Sequence, residues 1–266
     1  MTNEPLVDPS PEELVAAIED NWRGWLPLFE CFDGGRVEHR NGYVRWFSSI
    51  RMPFFNGIWG VPASDDLDAG IDEALAPFDA GGVPLLWIVP PPGGLDGKLV
   101  ARGFVVESTP GMAADIDGLE ARKPPPGVTI GEVGEDPREL EACIRVTEVA
   151  NEMPDETTPA LLRAIARFPE RDHIRAFVAS VNGARASSAM LLEWAGVAGL
   201  YNVGTLPEFR GRGLGTIVSI AALEAGRADG YPIGVLQATA MGEPVYRGMG
   251  FEERCRFSFA VRDGAP

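Results

Sequence analysis

Residues 205–215 read Thr205-Leu-Pro-Glu-Phe-Arg210-Gly-Arg-Gly-Leu-Gly215, between a strand-like run and a helix-like run. Glycines let backbone N–H groups close around an anion, and a helix N-terminus adds positive potential there. Arg210 and Arg212 add charge-assisted bonds suited to phosphate oxygens. The segment is therefore expected to hold an anion. A dinucleotide fingerprint fails, because Gly211-Arg-Gly213-Leu-Gly215-Thr216 has Thr where a third Gly belongs. A phosphate loop ending in Gly-Lys-Ser/Thr is missing as well.

Working outward, Val197–Thr205 reads as a strand and closes a meander with Ile174–Val181 and Arg185–Trp194. Asn182-Gly183 is a strong two-residue hairpin signal, since both residues tolerate positive φ. After the loop, Leu214, Ile217, Val218, Ala221 and Ala225 form one apolar stripe at helical spacing, and Gly230 is a stop signal. Ile233–Gln237 then reads as a strand, Glu243–Gly248 as a short helix and Phe251–Val261 as a last strand. Upstream, Val128–Val133 suits a strand, with helices over about 136–149 and 159–168.

This order, with Arg210-x-x-Gly213-x-Gly215 and Tyr246-Arg-Gly-Met-Gly-Phe251, resembles the GNAT superfamily of acyl-CoA-dependent N-acetyltransferases over roughly residues 128–262. The resemblance implies that the loop from Arg210 through Gly211, Arg212, Gly213, Leu214 and Gly215 grips the pyrophosphate of acetyl-CoA. It implies that the backbone of Val203 and Thr205 lies along the pantetheine arm, and that Tyr246 protonates the departing thiolate. A phenol with a reference pKa of ~10 is protonated at neutral pH, as that role requires. Two features depart from the family. Where relatives carry an Asn that touches the cofactor, this chain reads Ala238-Thr239-Ala240-Met241. Gly196–Thr205 also holds no carboxylate to act as base, which leaves ordered water (Asn202 could hold one), Glu193 or a first-half acid.

The first half carries a faint copy of the ending. Pro84 precedes Gly103-Phe104 as Pro232 precedes Gly250-Phe251, and Asp65–Asp79 suits a helix before it. The expected fold is α/β (α+β) with two GNAT-like lobes, each a mixed, mostly antiparallel sheet flanked by helices. Residues 1–120 would form a degenerate lobe, 121–127 a stiff Pro-rich linker, and 128–266 the catalytic domain. Where the second half has Arg210–Gly215, the first has Pro62-Ala-Ser-Asp-Asp66, whose carboxylates would repel a pyrophosphate. Leu99 stands where Tyr246 would.

Charge supports the same division. The net charge is −16, against nucleic-acid binding. Residues 201–266 hold seven Arg and seven acids, whereas seven acids and no base lie between Arg51 and Lys98. Such an acidic lobe favours a cationic acceptor. No apolar run approaches membrane-spanning length, and the start resembles no signal peptide, so a cytoplasmic location is expected. Three isolated cysteines and two isolated histidines, His39 and His173, give no disulfide framework or metal-ligand spacing. Cys255 is expected to be buried, and the aromatics Trp46, Phe47, Phe54, Phe55 and Trp59 to form core or line an acceptor cleft. The expected reaction is direct acetyl transfer from acetyl-CoA, without a metal, to a small-molecule or peptide amine in a ternary complex, by a monomer or homodimer. A non-catalytic acyl-CoA sensor is the alternative.

Overall fold

The computed structural model describes residues 3–119, 122–134 and 136–264, so Ala121 of the expected linker lies outside the described residues. Residues 122–127 belong to no helix or strand. The first half runs α1 (Pro11–Arg23), α2 (Leu26–Glu30), β1 (Arg36–His39), β2 (Tyr43–Phe47), β3 (Gly57–Gly60), α3 (Leu67–Gly81), β4 (Leu85–Val89), α4 (Asp96–Val100) and β5 (Val105–Asp115). The second runs β6 (Val128–Glu132), α5 (Pro137–Ala150), α6 (Thr157–Arg167), β7 (Ile174–Val181), β8 (Ala184–Trp194) and β9 (Val197–Thr205). It ends with α7 (Leu214–Ala228), β10 (Ile233–Gln237), α8 (Glu243–Arg247) and β11 (Glu252–Arg262). The result is a mixed α/β fold whose sheet is mostly antiparallel and flanked by helices.

All strands join one 11-stranded sheet in the order β1-β2-β3-β4-β11-β5-β10-β9-β8-β7-β6. The two strands that follow the matched Gly-Phe pairs, β5 and β11, lie antiparallel to each other, with Val105 opposite Val261 and Ala113 opposite Glu252. Each also pairs with the other half: β11 with β4, and β5 with β10. The last strand of each half is thus built into its neighbour's sheet, which the separate periodicities could not show. At the crossing, a Cβ on Gly111 would stand 2.6 Å from Cys255 Sγ, so only glycine fits. Cys255 is half-buried rather than buried, because its strand runs along this seam.

Local signals explain the elements. Ser10 and Glu13 form a reciprocal capping box that starts α1 (2.8 and 3.3 Å). Asn182 (φ 50°) with Gly183 (φ 85°), and Ala195 (φ 54°) with Gly196 (φ 74°), make the two hairpin turns. Gly230 (φ 99°) follows the last turn of α7, and its N–H donates to the Arg227 carbonyl at 2.9 Å. The buried stripe of α7 differs from expectation. Val218, Ala222 and Gly226 are buried while Ala221 and Ala225 are only half-buried. A Cβ on Gly226 would come within 2.9 Å of Ala198, so α7 leans on β9 through its glycine rather than its alanines.

One apolar cluster crosses the halves: Ile18, Trp22 and Trp46 of the first half share it with Ile144, Ala164 and Met190 of the second. Helices α1, α2, α5 and α6 cover this face, and α7 covers the other, where Leu191, Ala198, Leu200 and Val218 are packed.

Candidate active site

The site begins where two parallel strands part. β9 and β10 pair only at Ala198–Gly234 and Gly199–Val235, and β9 then continues to Thr205 without β10 beside it. The opposite edge of β9 is irregular. Met190 faces Tyr201 and Ser188 faces Gly204, so one extra residue of β9 is accommodated, and Asn202 takes φ 50°. A bulge of this kind re-aims backbone groups and is common beside functional sites. Val203 lies within the irregular stretch. The Thr205 carbonyl already accepts a bond from Arg210 Nε at 3.2 Å, so Val203 offers the freer edge to a substrate arm.

The wedge leads to the glycine loop. Gly211 and Gly213 adopt φ 73° and 72°, and a Cβ at either would point into open space. No side chain caps α7, and no acid stands in its first turn. The backbone N–H groups of Gly213, Leu214 and Gly215 are therefore the ones left for an anion. Arg210 is exposed; its second guanidinium nitrogen bonds the Ala150 carbonyl at 3.1 Å, tying the loop to the end of α5. The Arg212 guanidinium sits over the Phe209 ring at 5.8 Å. These residues fit a pyrophosphate.

Tyr246 stands on α8, its ring edge-on to Phe251 at 5.9 Å. Burial pushes its phenol up to about 12, opposed by the Ser219 hydroxyl of α7 beside it. Ser219 Oγ is buried without a hydrogen-bond partner, so this contact is a close approach rather than a formed bond. Along α7 the rise from Gly213 to Ser219 is roughly 9 Å at ~1.5 Å per residue, which puts anion cradle and phenol on one helix. Thr239, a candidate for the missing Asn contact, accepts from Gly242 N–H at 3.2 Å in the turn that leads into α8.

On the opposite face of the sheet a cavity of about 50 Å³ opens beside the bulge, with Met190, Tyr201 and Asn202 on its wall. The first half supplies Trp25 and Phe29 from the α1–α2 region as well as Phe54 and Phe55. Of the aromatic set singled out in the sequence, Trp46, Phe47 and Trp59 are core instead. Tyr201 donates its hydroxyl to Asn21 Oδ1 at 2.7 Å, and a Cβ on Gly199 would collide with that same oxygen. Burial raises the Tyr201 phenol well above its ordinary value. Asn202 Nδ2 donates to Met190 Sδ (3.4 Å), and the residue is part of the cavity wall. The sequence reading passed over Asn21, Trp25, Phe29 and Ser219. The only available signal was the aromatic spacing Trp22, Trp25, Phe29, Phe32, which does not by itself say what the helix covers.

Glu193, one of the expected bases, is not at the site. It lies near the end of β8, opposite Ala198 at the start of β9 and near Gly226 at the far end of α7. Its partners there are Arg175 (3.3 Å) and the Asp229 neighbourhood. Desolvation first, then Asp229, raises its carboxyl to about 7 against the pull of Arg175. A folded-state pKa above the unfolded one means that the contribution is complete below about 4.5 and is lost as pH rises through about 7. Glu193→Gln should therefore flatten the fall in melting temperature between pH 5 and 8. An unchanged slope would assign that fall to other groups. The acids between Arg51 and Lys98 are also elsewhere: Asp68 and Asp72 pair with Arg102 (3.0 and 2.7 Å), and Asp79 pairs with Arg262. None of them lines the cavity. No described helix is long and apolar enough to cross a membrane.

Comparison with known proteins agrees with this geometry. The family model described as "Acetyltransferase (GNAT) domain" matches residues 120–234, which include the glycine loop and stop short of Tyr246. A search of curated proteins returns no match. Among solved structures, a GCN5-related N-acetyltransferase from Kribbella flavida is similar, with TM-score 0.70 and 21% identity, covering 94% of this chain and 96% of that one. A GCN5-related N-acetyltransferase from Sphaerobacter thermophilus gives TM-score 0.63 at 14% identity, over 97% and 95% of the two chains. A tandem GNAT protein from the clavulanic acid biosynthesis pathway gives 0.55 at 16% identity, over 87% and 82%. At these identities the structures speak for the fold, and the domain match speaks for the family. Residues 120–234 thus match a GNAT acetyltransferase domain, and the fold around them is that of GCN5-related N-acetyltransferases, which supports an acyltransferase.

Proposed function

We propose that the protein transfers an acetyl group from acetyl-CoA to a primary amine by direct attack in a ternary complex. The observation that carries this reading is the wedge between β9 and β10, with an open glycine cradle at its end and a protonated phenol on the adjoining helices. Arg210, Gly211, Arg212, Gly213, Leu214 and Gly215 would hold the pyrophosphate, and Val203 and Thr205 the pantetheine arm. A neutral amine attacks the thioester carbonyl, the C–N bond forms and the C–S bond breaks. Tyr246 gives its proton to the leaving thiolate, and the amine's proton passes to solvent. No carboxylate lines the cavity, so the amine must arrive neutral, which desolvation favours.

The first half is proposed to be a degenerate copy that binds no coenzyme A. Two observations support this. β3 and β4 stay paired from Gly57–Leu86 to Trp59–Ile88, leaving no wedge. The first-turn N–H of Ala69 in α3 is already taken by Asp66 at 3.1 Å. The boundaries 1–120, 121–127 and 128–266 belong to the same proposal. Titration should give one acetyl-CoA per chain; two equal sites would contradict it.

Release of free thiol from acetyl-CoA on addition of amines tests the reaction. Saturable acetyl-CoA binding without thiol release across a broad amine panel would favour the sensor reading. Arg210→Glu should weaken acetyl-CoA roughly ten- to a hundredfold, because it removes a charge-assisted bond and places an acid beside the pyrophosphate. Asp66→Ala, which removes only a helix cap, should leave that affinity unchanged.

A further inference from the structure

The cavity beside the bulge has a buried floor and a half-buried rim. Phe29, Phe55 and Ile144 are part of the floor, and Phe54, Met153 and Leu161 part of the rim. Its lining includes no Lys, Arg, Asp, Glu or His. Two of its lining residues nevertheless hold buried polar atoms without a protein partner: Trp25 Nε1 and Thr157 Oγ1. Trp25 is 9% exposed and Thr157 1%. A buried donor left unpaired is costly, so such atoms are retained where something else satisfies them. Elsewhere around the cavity the polar groups are occupied: Thr147 Oγ1 bonds Ser188 (2.9 Å), and Tyr201 bonds Asn21.

We infer that this cavity selects the acceptor: a compact, uncharged-bodied monoamine whose apolar chain fills it and whose far end carries one hydrogen-bond acceptor, such as an ether or carbonyl oxygen, for Trp25 Nε1 and Thr157 Oγ1. The inference rests on the proposed acetyl transfer. Size limits the body. An apolar cavity of about 150 Å³ takes benzene, and this one, at about 50 Å³, takes a short aliphatic chain. Charge excludes a polyamine, because a second ammonium buried here would meet no carboxylate. A hydrocarbon acyl tail would leave both polar atoms unpaired, which favours the acceptor as occupant. The cavity also lies on the face opposite Tyr246, so nucleophile and leaving-group acid approach the wedge from different sides.

The test uses three amines of equal heavy-atom number: 3-methoxypropylamine, pentylamine and putrescine. With acetyl-CoA, kcat/KM should favour pentylamine over putrescine by at least about a hundredfold. Methoxypropylamine should exceed pentylamine about fivefold. Thr157→Val, which breaks no internal bond, should erase that fivefold preference, bringing the two monoamines to equal kcat/KM. Trp25→Phe should do the same. Putrescine turned over as well as the monoamines would overturn the inference, while the thiol release itself would uphold acetyl transfer. Faster reaction of putrescine with pentanoyl-CoA than with acetyl-CoA would overturn it too, by assigning the cavity to the acyl chain. If no amine releases thiol, acetyl transfer fails, and calorimetric titration of the three amines into the CoA-loaded protein still decides the cavity. The same order of affinities supports the inference, and equal affinities reject it.

Discussion

Tyr246→Phe should lower kcat by about 10²–10⁴-fold, the usual contribution of a positioned general acid. The substitution keeps the ring that meets Phe251 edge-on at 5.9 Å, so the packing of α8 on β11 is retained. What it removes is the proton. Acetyl-CoA affinity should change far less, since the proposed grip lies with Arg210 and the loop amides. The pH profile separates this role from a structural one. Sequence alone places the falling limb near pH 10, where an exposed phenol ionises. Burial moves the group to about 12. The wild-type rate should therefore hold up to about pH 11, and the Phe variant should show no tyrosine limb at any pH. Turnover within about twofold of wild type would make Tyr246 a packing residue and pass the proton transfer to water.

Asn21→Leu should be among the most destabilising single changes in the protein. Asn21 is fully buried, and its Nδ2 reaches three carbonyls of the β8–β9 hairpin: Leu192 (3.1 Å), Trp194 (2.8 Å) and Val197 (3.2 Å). Its Oδ1 accepts the Tyr201 hydroxyl at 2.7 Å. Leucine fills similar space but leaves carbonyls and a buried phenol unpaired, each at ~1–3 kcal/mol before non-additivity. A total of about 3–5 kcal/mol is a large share of the ~5–15 kcal/mol that holds a typical domain together. At ~2–4 °C per kcal/mol, the melting temperature should fall by about 10 °C. Asp20→Ala, one residue away, removes only a half-buried pair with Arg23 (3.1 Å) at the edge of α1 and should cost under about 1 kcal/mol. A shift below about 2 °C for Asn21→Leu would mean that Ile18 and Trp22 dock α1 through apolar contact alone.

These two residues mark the divide between local and tertiary information. Tyr246 was found because it stands at fixed spacing from Gly250-Phe251 and follows a strand–loop–helix–strand order. Each of those signals is local: positive-φ turn residues, an apolar stripe, a glycine loop without capping acids. The loop Arg210–Gly215, the meander and α7 are determined in the same way, because backbone sterics and helix-end electrostatics act over a few residues. Asn21 carries no such pattern. It matters because α1, about 170 residues away in sequence, lands on the β8–β9 hairpin. The exchange of β5 and β11 between the halves is likewise invisible to periodicity, since any strand with the right faces can pair with several edges. Glu193 shows the converse: a carboxylate on the strand next to the site looked available as a base, but strand direction carries it to the other end of α7. Of the acidic stretch, folding pairs Asp68 and Asp72 with Arg102 and Asp79 with Arg262, contacts that the charge count alone does not show. The proposed anion cradle and acid thus follow from the chain's own short-range chemistry. The cavity proposed to meet the acceptor was decided by long-range packing, because it is assembled from α2, α5, α6, the turn at Phe54–Phe55 and a bulge that only the folded sheet brings together.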